Sequence, residues 1–224
     1  MIPRQLLRDG SACLYRCTLE AKEPVLKRPF DILLSVAALV MSLPLLVVVA
    51  LAIFLEDRGS VLFVQERCGK GGKLFGCMKF RTMKVPRGNA VHQVVDMCDD
   101  ARVTKVGRIL RLTALDELPE LINILKGEMS FVGPRPLPLR IEDGESLRYR
   151  TIDEVPGYHI RSQVRPGLTG LTQIYVPKDI DHRNKFRYDN LYVRNMSFWL
   201  DMKLVLLAFW VTLRGRWEGR GVKF

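Results

Sequence analysis

The run ILLSVAALVMSLPLLVVVALAIFL, residues 32–55, is 24 consecutive uncharged residues, closed off by Asp31 on one side and Glu56-Asp57-Arg58 on the other. As a helix rising about 1.5 Å per residue it reaches roughly 36 Å, more than a hydrocarbon core needs. It starts too deep in the chain and runs too long for a cleavable signal peptide, so it reads as a segment that lives in lipid. Arg16, Lys22, Lys27 and Arg28 precede it, and Arg58, Arg67, Lys70, Lys73, Lys79 and Arg81 follow it. Because positive residues stay on the cytoplasmic face, a simple crossing would strand one of these clusters. Pro44, near the middle, removes a helix hydrogen bond and predicts a break, where the Ser42 hydroxyl can serve a freed carbonyl. Two arrangements stay open: a helix that bends at Pro44 and returns to the face it entered from, and a kinked transmembrane helix.

Composition sets the context for that segment. The chain has 224 residues, 35 Lys+Arg against 24 Asp+Glu, a net charge of +11 and 48% hydrophobic residues. Such a balance calls for an anionic partner, and the segregation of apolar and basic stretches favours a membrane surface over nucleic acid. No nucleic-acid module is recognised, and few aromatics interleave with the basic stretches. The five cysteines, Cys13, Cys17, Cys68, Cys77 and Cys98, are odd in number and lack a Cys-x-x-Cys spacing, so reduced cytoplasmic thiols are expected. His92, His159 and His182 have no zinc spacing, and no Gly-x-Ser-x-Gly elbow occurs.

After the apolar run, residues 60–84 read as a β-hairpin turning at Gly69-Lys70-Gly71-Gly72-Lys73, which lacks the spacing of a Walker-type phosphate loop. Strand alternation puts Lys79 and Arg81 on one face, where two cations can grip a diphosphate, although a solvated face is the commoner outcome of such a pattern. Residues 85–104 read as an irregular linker. Phe198–Leu213 is amphipathic, but its uncharged part, Leu204–Leu213, is only ten residues and cannot span a bilayer. With Trp199, Trp210, Arg214, Arg216 and Trp217 it suits a helix lying in the interface; the alternative is a buried core helix.

The scarce carboxylates converge at Leu115-Asp116-Glu117-Leu118-Pro119. Thr113 matches a capping box, and Leu115, Leu118, Ile122 and Leu125 make an apolar stripe, so a helix is expected to begin near Thr113. On that helix Asp116 and Glu120 share a face while Glu117 points about 100° away from Asp116. A helix N-terminus attracts acidic residues for its own reasons, but Arg108, Arg111 and Arg135 crowd this one. Prolines 134 and 136 fix the backbone around Arg135, and Arg165-Pro166-Gly167 presents Arg165 in the same way. Carboxylates beside fixed arginines suit phosphoryl chemistry with a divalent cation.

In their order these motifs resemble the bacterial sugar transferases of the small monotopic phosphoglycosyl transferase family. The matching stretches are Lys27-Arg28-Pro29-Phe30-Asp31, Arg67-Cys68-Gly69, Lys79-Phe80-Arg81-Thr82-Met83, Gly107-Arg108 with Arg111, and Leu115 to Pro119. They continue with Asn123 to Pro136, Val164 to Gly170, Tyr192-Val193 and Leu200-Asp201. The resemblance implies an α+β monotopic membrane protein: a basic segment (1–26), a re-entrant helix broken at Pro44 (27–59), and a cytoplasmic, mainly helical catalytic domain (60–224) with a small hairpin and interfacial helices.

It also implies a Mg²⁺-dependent transfer of sugar-1-phosphate from a UDP-sugar to undecaprenyl or another polyprenyl phosphate, at the cytoplasmic face of a bacterial inner membrane. Asp116 would be the nucleophile and hold Mg²⁺, and Glu117 would assist by preparing the lipid phosphate for the second step. Lys79, Arg81, Arg108, Arg111, Arg135 and Arg165 would bind substrate phosphates, with Asp201 a weaker candidate that anchors an arginine. Membrane lipids and a homodimer are further compatible partners. Two departures stand out: Leu43 separates Ser42 from Pro44, and Gln173 is followed by Ile174-Tyr175-Val176-Pro177-Lys178 where many members have Asn-Gly-Arg. The rival reading is a non-catalytic, basic membrane-surface protein.

Overall fold

The computed structural model describes residues 21–84, 102–140, 151–177 and 180–213. Its first element, α1, spans Lys27–Glu56 and takes Pro44 inside it as one helix. The Ser42 hydroxyl donates to the Leu39 carbonyl at 3.4 Å, one residue short of Val40, whose usual amide partner Pro44 lacks. Most of the helix is bare apolar surface, with Leu33, Val40, Met41, Leu43, Val47, Val48, Leu51 and Leu55 exposed.

Both ends of α1 are nonetheless bonded to the rest of the protein. At the start, Lys27 Nζ reaches the Val132 carbonyl (2.8 Å), the Tyr192 hydroxyl (3.1 Å) and Asp201 Oδ2 (2.6 Å). Arg28 donates to the Ile124 and Leu125 carbonyls at 2.6 and 2.8 Å, Phe30 packs edge-on against Phe198, and Asp31 accepts from the Ser130 hydroxyl and the Phe131 amide. At the far end Val49 and Ile53 pack with Phe80 and Leu110, and the Glu56 carboxylate accepts the amides of Lys105 and Val106 at 2.7 and 2.9 Å.

The expected hairpin is present: β1 (Leu62–Cys68) pairs antiparallel with β2 (Leu74–Phe80) from Leu62↔Phe80 to Cys68↔Leu74. Gly71 and Gly72 take φ of 65° and 75° in the connection, a region glycine enters without a side-chain clash. Helix α2 (Lys105–Thr113) follows, N-capped by Thr104, whose hydroxyl accepts the Gly107 amide. A tight 3-10 turn, Leu115–Glu117, then leads to α3 (Glu120–Lys126).

Here the expected helix start is corrected. Thr113 is the last residue of α2, and its hydroxyl donates back to the Ile109 and Leu110 carbonyls instead of capping forwards. Ala114, left-handed at φ 55°, reverses the chain between α2 and the turn.

Two three-residue strands, β3 (Ser130–Val132) and β4 (Gly167–Thr169), pair in parallel. Their approach depends on glycine. A Cβ on Gly133 would stand 2.5 Å from the Arg165 carbonyl oxygen, and one on Gly167 would stand 2.1 Å from the Gly133 amide. The two proline-flanked arginine loops are thereby laid side by side. Helices α4 (Tyr158–Arg161), α5 (Leu171–Tyr175), α6 (His182–Asn195) and α7 (Phe198–Leu213) complete the body.

The main core gathers Leu121, Ile124, Met129, Val132, Val164, Tyr192 and Leu204 from α3, β3, α6 and α7. Helix α7 buries Asp201 and Leu204 and exposes Trp199, Leu206, Phe209 and Trp210, which fits neither a fully buried core helix nor a solvated one. Cys68 and Cys77 are buried, and neither is in a disulfide. Cys13, Cys17, Cys98, most of the 85–104 linker and the basic residues after Leu213 lie outside the described residues.

Candidate active site

The 3-10 turn decides how the acids are distributed. Glu117 ends the 3-10 turn and Glu120 begins α3, three residues on, and these two converge rather than Asp116 and Glu120. Both meet Lys79, which strand alternation aims the same way as Cys77: Lys79 Nζ lies 2.6 Å from Glu117 Oε1 and 3.3 Å from Glu120 Oε1, and the Cys77 thiol donates to Glu120 at 3.3 Å. Arg135 adds a second cation to Glu117 at 3.0 Å. Asp116 stands apart: among the described residues none holds its carboxylate by a hydrogen bond or ion pair.

Electrostatics separate the two neighbours. Burial, reinforced by the charge of Glu117, pushes the Asp116 carboxyl up to about 6, with Lys79, Arg135 and Arg111 pulling the other way. Burial acts on Glu117 in the same sense, but Lys79 and Arg135 overcome it and hold that carboxyl well below the usual range. Burial and Glu117 raise Glu120, and burial with Glu120 raises the Cys77 thiol to about 12. Lys79, against the effect of its own burial, is kept charged by Glu117 and Glu120. Two adjacent carboxyls pushed in opposite directions are a usual mark of divided roles at a reactive site.

The remaining expected site residues are placed as follows. Arg111 donates Nε to the Thr82 hydroxyl at 3.0 Å, close enough to Asp116 to bias its ionisation. Arg81 does not share a partner with Lys79, because β2 ends at Phe80; it turns to the carbonyl and carboxylate of Asp57. Its Nε and Nη1 are buried without a partner, two orphaned donors that an anion would satisfy. Arg108 is exposed on α2. Arg165 is held by Glu23 through Nε and Nη2, so its guanidinium is engaged by a carboxylate. Asp201 anchors a lysine where an arginine was expected, within the buried Lys27–Tyr192 network.

Sequence reading missed Arg161. It is buried, donates Nε to Asp189 at 2.9 Å and Nη2 to the Arg135 carbonyl at 2.6 Å, and stacks on Phe186 at 4.5 Å. It thus supports the backbone that presents Arg135. Its partners lie 26 and 28 residues away, beyond any local pattern. Glu120 was read for its helix face and not for its part in the Lys79 cluster.

A family model described as "Bacterial sugar transferase" matches residues 22–215, which include every element above. The chain belongs to that family. It is 40% identical over 201 residues to the UDP-glucose:undecaprenyl-phosphate glucose-1-phosphate transferase of Klebsiella pneumoniae, covering 87% of this chain and 42% of that protein. It is 38% identical over 194 residues to the UDP-N-acetylgalactosamine-undecaprenyl-phosphate N-acetylgalactosaminephosphotransferase of Aeromonas hydrophila, covering 85% and 44%. It is 40% identical over 186 residues to the exopolysaccharide production protein PSS of Rhizobium leguminosarum, covering 81% and 92%. The bacterial sugar transferase chain therefore spans less than half the length of some relatives and nearly all of another.

Proposed function

We propose that this protein is a phosphoglycosyl transferase that moves a sugar-1-phosphate from a UDP-sugar to a polyprenyl phosphate through a covalent intermediate on Asp116. The observation that carries the reading is the asymmetry of the acid pair: Glu117 is locked by Lys79 and Arg135, while Asp116 stays unclaimed and hard to ionise. A carboxylate with few stabilising partners is a better nucleophile than one already neutralised. In the first step the Asp116 oxygen bonds to the β-phosphorus, the bond to the bridging oxygen breaks, and UMP leaves with that oxygen. In the second a phosphate oxygen of the acceptor bonds to the same phosphorus and Asp116 is released, leaving a polyprenyl diphosphate sugar.

Glu117 orients the pair and, through Lys79 and Arg135, keeps two cations at the phosphates. Arg111, and Arg81 with its unpaired donors, donate to the remaining phosphate oxygens. Among the described residues no group of three or more His, Cys, Asp or Glu could hold a metal by itself. One free carboxylate is nevertheless what Mg²⁺ uses when substrate phosphates and water fill its other positions. Held by Asp116 and the donor, Mg²⁺ would draw charge off the transferring phosphorus.

The arrangement of α1 supports a monotopic protein, and a UDP-sugar donor would put its site at the cytoplasmic face. Thirty helical residues reach about 45 Å, yet both ends are bonded to one body; a helix crossing the bilayer would carry its ends to opposite sides. The membrane-surface reading explains α1 and α7 but not two carboxylates, Glu117 and Glu120, gathered on one lysine, which cost stability without serving attachment.

Donor sugars differ between the named relatives, so UMP release from a panel of UDP-sugars, with and without undecaprenyl phosphate, is the first assay. Asp116→Asn should abolish both UMP release and the trapping of labelled phosphosugar on the protein. Full activity in that variant rules the mechanism out.

A further inference from the structure

Helix α2 has two sides that the transferase reading leaves unequal. One buries Leu110 against Val49, Ile53 and Phe80, and Gly107 against the Thr82 backbone. The other leaves Ile109 61% and Leu112 50% exposed, three residues apart and therefore neighbours on the helix surface. Single exposed leucines are ordinary, but these two make up half of the four large apolar residues of a nine-residue helix that also exposes Lys105 and Arg108.

Position distinguishes this pair from the apolar surface of α7. The Glu56 carboxylate bonds the first amides of α2 to the last residue of α1, beside the exposed Phe54 and Leu55, so α2 starts where the lipid-facing helix ends. Its other end passes through the left-handed Ala114 directly into the turn that carries Asp116. Arg111, turned about 100° from Leu112 on the helix and bonded to Thr82, is within electrostatic reach of Asp116. An apolar strip on a helix that runs from the end of α1 to the turn of Asp116, with Arg111 on the adjoining face, fits a ligand with a long hydrocarbon chain and an anionic head. Phospholipid acyl chains would have no reason to lie next to the reacting carboxylate.

We infer that the Ile109–Leu112 face of α2 is where the first isoprene units of the polyprenyl phosphate acceptor lie, its phosphate meeting Arg111. This rests on the transferase reading above and adds the residues that select the acceptor.

The two half-reactions provide the test. Ile109→Gln and Leu112→Gln, singly and together, are made in the full chain and assayed in detergent micelles and in vesicles. Without acceptor, the UMP burst and the amount of trapped phosphosugar should match the unaltered protein. With undecaprenyl phosphate, its KM should rise by about tenfold in the double variant, the expected scale for losing two partly buried apolar contacts. The KM for the UDP-sugar should not move, and Leu112→Met should restore acceptor binding.

An unchanged acceptor KM overturns the inference. So does reduced retention on vesicles with a normal acceptor KM in micelles, which would assign the face to bulk lipid. Loss of the burst in the double variant also overturns it, since the effect would then run through the nucleophile. Absence of a burst in the unaltered protein would instead remove the transferase reading and this inference with it.

Discussion

Asp201→Ala separates a structural role from a substrate-binding one. The Asp201 and Lys27 side chains are each 2% exposed and their charged atoms are 2.6 Å apart. Removing the carboxylate leaves the Lys27 ammonium facing two neutral acceptors, the Val132 carbonyl at 2.8 Å and the Tyr192 hydroxyl at 3.1 Å. An uncompensated buried charge costs about 3–5 kcal/mol, a third or more of the stability of a typical domain. At about 2–4 °C per kcal/mol for a chain of this size, Tm should fall by roughly 6–20 °C. Replacing both partners, Lys27→Met with Asp201→Leu, removes the charge along with its counter-charge and should recover most of that loss, because Tyr192 still donates to Val132 at 3.2 Å. The assay is thermal unfolding of detergent-solubilised protein, with burst titration at low temperature counting active molecules. Surviving Asp201→Ala molecules should turn over normally. An unaltered Tm with lost turnover would mean that Asp201 acts on substrate, and the structural account would be wrong.

The acid pair should behave with opposite signs. Folding raises the Asp116 pKa from 3.8 to about 6, a cost that develops as pH rises through that window, so Asp116→Asn should melt higher than the unaltered protein above pH 6 and equally below about pH 4. Folding lowers the Glu117 pKa below 4.5, a gain present above that pH and lost as pH falls beneath it, so Glu117→Gln should melt lower at pH 7 and lose the difference in acid. Arg161→Lys can keep an ion pair with Asp189 but cannot also brace the Arg135 carbonyl, and should lower kcat by about tenfold with a smaller loss of Tm. Gly133→Ala should prevent folding, because its methyl group would force β3 from β4; soluble protein with normal Tm would refute that packing. For topology, cysteines placed at the exposed Lys22 and Lys73, in a background lacking Cys13, Cys17 and Cys98, should react alike with an impermeant thiol reagent in sealed vesicles. Buried Cys68 cannot report.

What the sequence disclosed was local. The hairpin was legible because alternation and a glycine-rich turn are short-range signals, and α7 begins and ends where its apolar run does. The start of α3 was misjudged because Ala114 adopts a conformation that non-glycine residues rarely take, and no residue type announces it. That one residue converts an expected α-helical spacing into a 3-10 turn and exchanges Asp116 for Glu117 as the companion of Glu120. The basic motif Lys27-Arg28 has no local explanation in the sequence, because its contacts are distant. Lys27 finds Asp201 across 174 residues and Arg28 ends up on the last turn of α3. Arg165 was expected to be presented to a phosphate; Glu23, 142 residues away, holds it instead.

These placements change what the positive charge of the chain means. Of the basic residues near the site, Lys27 neutralises Asp201, Arg161 neutralises Asp189, Arg165 is held by Glu23, and Lys79 with Arg135 is spent largely on Glu117. Around the reactive turn, Asp116, Glu117 and Glu120 face Lys79, Arg111 and Arg135, so the local charge is close to balanced despite the +11 of the whole chain. A diphosphate donor entering such a site cannot rely on a general positive field. In the proposed mechanism it would use the unpaired donors of Arg81, the Arg135 guanidinium beside Glu117, and a divalent cation held by its own phosphates. Balanced charge also fits the role proposed for Asp116: Lys79 and Arg135 are bonded to Glu117, and together with Arg111 they offset only part of the burial that raises the Asp116 carboxyl.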